Sequence, residues 1–224
     1  LGAAGGLGLL TKFSIGFVAA GVLVALVATR ERRWLATRWP YIAAAIALLI
    51  GCASLIGQVR LGFPVLGQMQ DLQAVQLQRV TPADFLLGQV MMLGPSILLA
   101  LAGLGYLLLA RATASARAAG VAALVPFVLL LVLQGKAYYA GPIYPLLIGA
   151  GAVALERVTR FRTALASALA VLIVAGGVAT LPIGLPVLPP EPMARYATSL
   201  GITSAVRTNT GVVLSLPQDY ADML

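Results

Sequence analysis

The sequence predicts an all-α polytopic membrane protein, and three observations carry that prediction. The 224-residue chain is 60% hydrophobic and 10% charged, whereas soluble domains carry about 25% charged residues. Several apolar runs reach the length, about 17–25 residues, that crosses the hydrocarbon core of a bilayer. Arginine-rich stretches separate these runs at every second connection. A soluble chain of this size could not bury so much apolar surface.

Read in order, the apolar runs give an N-terminal stub at about 1–11, ending at Lys12, and then six spans. The spans fall at about 13–29, 41–57, 86–110, 118–134, 137–155 and 163–181. Gly and Ala recur inside them ("IGAGAVAL", "AVLIVAGGVA"), and small residues let helices approach closely in lipid. "RERRWLATR" (30–38), "RATASAR" (111–117) and "ERVTRFR" (156–162) hold four, two and three arginines, nine in all. By the positive-inside rule these loops are cytoplasmic. The connections at Lys12, 58–85 and 135–136 then lie outside, with the tail after about 181.

The outer segment 58–85 is too polar to span. Leu66, Met69, Leu72 and Val75 recur every three residues among Gln68, Gln70, Asp71 and Gln73, which suits a helix lying at the interface. "TPAD" then places Thr81 as N-cap, Pro82 at the first helical position and Asp84 in the first turn. At the other end, 182–192 contains five prolines, which should stop a helix. The organisation expected is a transmembrane bundle over 1–181, followed over 182–224 by a Pro-rich outer linker and the start of a C-terminal outer region. The chain begins at Leu1 inside an apolar stretch and stops at "LPQDYADML". Both ends read as cut, as in an internal piece of a longer protein.

Composition also excludes. The net charge of +8 does not point to nucleic acid, because the arginines sit in short loops rather than on a basic face with aromatics. The single cysteine, Cys52, lies inside an apolar run, so neither a disulfide framework nor a thiolate metal cluster can form. Without histidine, the chain has no histidine base, no usual zinc site and no haem ligand of that type.

The candidate chemistry lies in "QGKAYYAGPIYPLL" (134–147) and "GLGLLTKFS" (6–14), which hold the only two lysines, Lys136 and Lys12. One reading is interfacial anchoring, with lysine snorkelling and tyrosine at headgroup depth. The other is an anion site: ammonium groups and the hydroxyls of Tyr138 and Tyr139 would donate to a phosphate. Two outer-face lysines strengthen the second reading. "GPIYP" should open the helix start and free backbone groups towards a cavity. Gln58, Arg60 and Arg79 are candidate substrate contacts in the outer segment, against headgroup contact as the plainer role. Asp71 is the one weak candidate for a catalytic base. Asp84 has a capping role, and Glu191, Asp219 and Asp222 fall outside any span. No acid lies within a span, which argues against a proton-coupled transporter.

These segments, in this order, resemble bacterial glycosyltransferase family 39, relatives of protein mannosyltransferases and of the lipid A aminoarabinose transferase. "GLGLLTKFS" is similar to the family's Gly-Leu-Gly-x-x-Thr-Lys segment. "SLIGQVRLGFPVL" is similar to its Gln-x-x-His-Gly-aromatic-Pro pattern, with Leu61 where histidine is common and Gly57 where an aromatic is common. "TPADFLLGQVMMLGP", "GKAYYAGPIYPLLIGAGAVALE" and "LPVLPPEPMARY" follow, so the resemblance runs over essentially the whole chain.

The resemblance implies a GT-C fold and a glycosyltransferase of the EC 2.4 class in a bacterial plasma (inner) membrane. The partners it implies are membrane lipid, a polyprenyl-phosphate-linked sugar as donor and an acceptor it does not name. It places Lys12, Lys136, Tyr138 and Tyr139 at the carrier phosphate, and the catalytic aspartate in a first outer loop upstream of Leu1. No cofactor is implied with certainty, and a divalent metal stays open for the full-length enzyme. Two further readings are a transporter or flippase for a lipid-linked or anionic substrate, and a non-catalytic scaffold. Neither accounts as well for the outer lysines and tyrosines, and the sequence shows neither the internal repeats nor the paired broken helices that many transporters have.

Overall fold

The computed structural model describes residues 1–75, 77–110, 116–158, 162–185 and 187–200. Ser115, most of the second arginine loop, the centre of the third, Asp219 and Asp222 lie outside the described residues. Among the described residues every regular element is helical. The chain divides into two compact units, Leu1–Arg162 and Thr163–Leu224. The all-α membrane fold expected from composition is the fold observed.

The first unit contains α1 (Gly2–Thr11), α2 (Ile15–Ala28), α3 (Trp39–Arg60), α4 (Pro64–Val75), α5 (Pro82–Leu93), α6 (Ser96–Leu109), α7 (Arg117–Val132) and α8 (Tyr144–Val158). Short 3-10 segments at Arg30–Ala36 and Ala137–Ile143 precede α3 and α8. The main pairings are α1 with α3, α2 with α7, and α6 with α8. Glycine makes them possible. A Cβ on Gly103 would run into the Leu147 carbonyl oxygen, and one on Gly151 into that of Leu99, so α6 and α8 meet backbone to backbone. Gly21 faces the Ala122 carbonyl on α7 in the same way, and Gly2 and Gly6 face Ala43 and Ile50 on α3. Lipid tails supply no hydrophobic drive between helices, so this close van der Waals approach is what holds them. Around it, Phe85, Leu107, Leu130, Ile143, Tyr144 and Leu147 form the buried cluster.

The number of spanning helices differs from expectation. Trp39–Arg60, Ala137–Arg157 and Thr163–Ile183 are long and apolar enough to cross a membrane. At 14 and 16 residues, α2 and α7 run only about 21 and 24 Å, short of a core about 30 Å thick. The apolar run 86–110 is not one helix. Between α5 and α6 the chain bends by 110°, at Gly94, whose φ is +49°, followed by Pro95, which precedes α6. Counted as one span, this bent pair would be the fourth.

The start of α5 follows the sequence. Thr81 caps it, Pro82 occupies the first turn, and the Thr81 and Asp84 side chains close a reciprocal capping box. In the second unit, α9 (Arg162–Gly184) continues past Pro182, and α10 (Pro190–Ser199) is helical where a linker was expected. A proline in the first turn lacks only an N–H that would have no helical partner there, so Pro190 opens α10. Met193 and Ala197 of α10 pack with Ile183, Leu188 and Tyr196, and the Tyr196 hydroxyl donates to the Ala179 carbonyl at 2.6 Å.

Candidate functional site

Lys12 sits at the break between α1 and α2. Its backbone is extended, and its N–H closes the end of α1 by donating to Gly8 O at 2.8 Å. The Thr11 hydroxyl donates to the same carbonyl at 3.0 Å. The helix therefore ends one residue before the lysine, which stays exposed.

The opposing wall is the turn after α7. Gln134, with φ +55°, and Gly135 carry the chain out of the helix, and Gly135 N donates to Leu130 O at 2.7 Å. Lys136 follows in extended conformation, and its carbonyl accepts from Tyr139 N at 3.1 Å. The 3-10 turn then presents two adjacent rings, edge to face, with centroids 4.7 Å apart. The Lys12 Nζ lies 4.4 Å from the centroid of Tyr139 and 5.1 Å from that of Tyr138. Residues 126 and 127 positions apart in the chain thus meet as a cation held over two aromatic faces. Such a contact contributes about 0.5–2 kcal/mol, depending on how dry it is. Tyr138 is half exposed and Lys12 exposed, so the contact of the ammonium with the two rings stays open to an approaching group.

The other candidates fall elsewhere. The Gln58 side chain is taken: its Oε1 accepts from Val65 N at 3.0 Å and closes the α3–α4 turn around Gly62 and Phe63, both at positive φ. Arg60 ends α3, Arg79 ends the short turn Leu77–Arg79, and Asp71 lies on α4; all three are exposed. The carboxylate of Asp84 accepts from the Thr81 hydroxyl at 2.6 Å and from the Thr81 N–H at 3.0 Å. These bonds, the hydroxyl's first, hold its pKa below the ordinary carboxylate value. Among the described residues no three Cys, Asp or Glu side chains come together as metal ligands would.

Sequence reasoning missed Gln89. Among the described residues it is the one amide or charged side chain that is buried. Its Nε2 donates to Phe85 O at 3.0 Å and to Ala137 O at 3.2 Å, and its Oε1 accepts from the Tyr144 hydroxyl. The signal available was a lone amide within "FLLGQVMML", beside a glycine in an otherwise apolar run.

Comparison with curated proteins and with solved structures gives no match. Residues 1–56, a quarter of the 224-residue chain, match the family model described as dolichyl-phosphate-mannose-protein mannosyltransferase, and that match supports a membrane glycosyltransferase-like protein.

Proposed function

We propose that this chain is part of a GT-C membrane glycosyltransferase that moves a sugar from a polyprenyl-phosphate carrier to an acceptor at the outer face of a bacterial plasma membrane. The observation that carries the reading is the contact of Lys12, inside the matched region, with Tyr138 and Tyr139, far outside it. In the reaction the bond between the sugar's anomeric carbon and the carrier phosphate oxygen breaks, and a bond to the acceptor oxygen forms. The acceptor proton passes to a base. Charge develops on the leaving phosphate, where ammonium and phenol donors stabilise it through charge-assisted hydrogen bonds. Lys12 and Lys136 supply the ammonium groups, and Tyr138 and Tyr139 the hydroxyls.

In the full-length enzyme, Lys12→Met and Lys136→Met should each weaken carrier binding by about tenfold or more, the size of a charged hydrogen-bond donor lost. Arg195→Met, at an exposed position of α10, is the control and should change little. Equal effects for the lysines and Arg195 would favour simple anchoring. The 224-residue chain alone is expected to bind the carrier without turning it over, because Asp84 is occupied in its capping box and Asp71 stands exposed on α4. Sugar transfer by this chain that disappears in Asp71→Asn would instead make Asp71 the base.

One observation favours the alternative of a transporter or flippase: the break between α5 and α6, since transporters often build substrate sites from broken helices. Movement of a labelled carrier across reconstituted vesicles, without sugar transfer by the full-length protein, would select that reading.

A further inference from the structure

We propose that Gln89 is a positioning residue that sets the Tyr138–Tyr139 pair beneath the Lys12 ammonium. This inference rests on reading that cluster as the carrier-phosphate site. A glutamine side chain offers two N–H donors and one carbonyl oxygen, and in Gln89 all three groups are engaged. One N–H folds back to Phe85 O on its own helix. The other crosses 48 residues to Ala137 O. The oxygen takes the Tyr144 hydroxyl.

The choice of partners is the point. Ala137 is the residue between Lys136 and Tyr138, and Tyr144 is the first residue after the turn Ala137–Ile143. A single buried amide therefore grips both ends of the segment that presents the two rings. A 3-10 turn has poorer internal hydrogen bonds than an α-helix, so its position depends on what holds it from outside. Gly88 completes the grip: a Cβ there would lie 2.6 Å from the Ala137 Cβ, so α5 approaches the turn as closely as a glycine allows. Phe85, 1% exposed and edge to face with Phe127 at 5.4 Å, fixes that end of α5 against α7. If Gln89 only contributed stability, its partners could lie anywhere in the core.

The first test uses the 224-residue chain in membranes, with Cys52→Ser and the pair Lys12→Cys and Tyr139→Cys joined by a short bifunctional thiol reagent. Gly5→Cys with Ala47→Cys is the control pair, because a Cβ on Gly5 lies 3.5 Å from the Ala47 Cβ, within disulfide reach. Adding Gln89→Leu should lower Lys12–Tyr139 crosslinking about tenfold, the effect of one buried bond left unmet, and leave the control pair unchanged. If both pairs are lost, the chain has unfolded, and Tyr144→Phe, which keeps the volume, decides by the same criterion. An unchanged Lys12–Tyr139 yield overturns the inference.

The second test uses the full-length enzyme. Gln89→Leu should lower kcat/KM for the polyprenyl-phosphate sugar about tenfold, and should cost clearly less than that in a Lys12→Met background, since coupled sites are not additive. Full additivity overturns the inference. Should Lys12→Met by itself leave carrier binding intact, the reading of the site fails, while the crosslinking result still decides the role of Gln89.

Discussion

Gly149 and Gly151 stand two residues apart on α8, yet they carry different constraints. A Cβ on Gly149 meets nothing within 4 Å, whereas one on Gly151 would collide with the backbone of Leu99. Gly151→Val should therefore destabilise the protein by roughly 1–3 kcal/mol or more, as overpacking does, and Gly149→Val should be tolerated. Monodispersity in detergent after heating separates the two. The sequence made small-residue packing legible in "IGAGAVAL" but not which glycine was in contact, because that depends on the rotation of α8 about its axis. Thr81 and Asp84 were legible, since a cap is decided within four residues. Lys12, Tyr138 and Tyr139 could be named as one group from sidedness and chemistry, but their stacking needed the structure. Gln89 was not legible, because both its cross-helix partners, Ala137 O and the Tyr144 hydroxyl, come from a distant segment.

The helices show where local rules compete. "MMLGPS" contains a Gly-Pro pair, which ordinarily marks a turn, but the uninterrupted apolar run suggested a single span. The turn won. Gly94, at φ +49° and ψ −133°, occupies a region that residues with a side chain enter only at a cost of about 1–3 kcal/mol. Gly94→Ala should lower stability by that amount or straighten the α5–α6 corner. A change in spin-label distance between positions 86 and 105 would report the second outcome. At the prolines, the run over 182–192 suggested a stop and a linker, yet Pro182 and Pro190 both lie in helices, Pro190 at a position that needs no N–H. The opening of the segment at "GPIYP" was legible as an irregular start, and the chain answers it with the 3-10 turn that carries the tyrosines.

For the whole molecule, class was the easiest property to read, because composition averages over every residue and tolerates errors in each boundary. Span count was harder. Apolar length alone does not separate a 22-residue helix such as α3 from the 14-residue α2, which lies against α7 across Gly21. The sidedness expected from the arginine pattern has a direct test. In a Cys52→Ser background, an impermeant thiol reagent applied to intact cells should label Gln68→Cys, exposed on α4, and spare Ala36→Cys in the first arginine loop. Labelling of Ala36→Cys alone would invert the molecule in the membrane.

The Lys12 contact has one more consequence. A ring quadrupole orients an ammonium without cancelling its charge, as a carboxylate partner would. Among the described residues Lys12 has no carboxylate partner for an incoming anion to displace, and the attraction that anion feels is screened by dissolved salt over about 8–10 Å. Exchange of one ring for an acid, as in Tyr139→Glu, would tether the lysine more firmly and abolish that advantage. Its anion affinity should fall below that of Tyr139→Leu, even though the lysine itself is untouched in both.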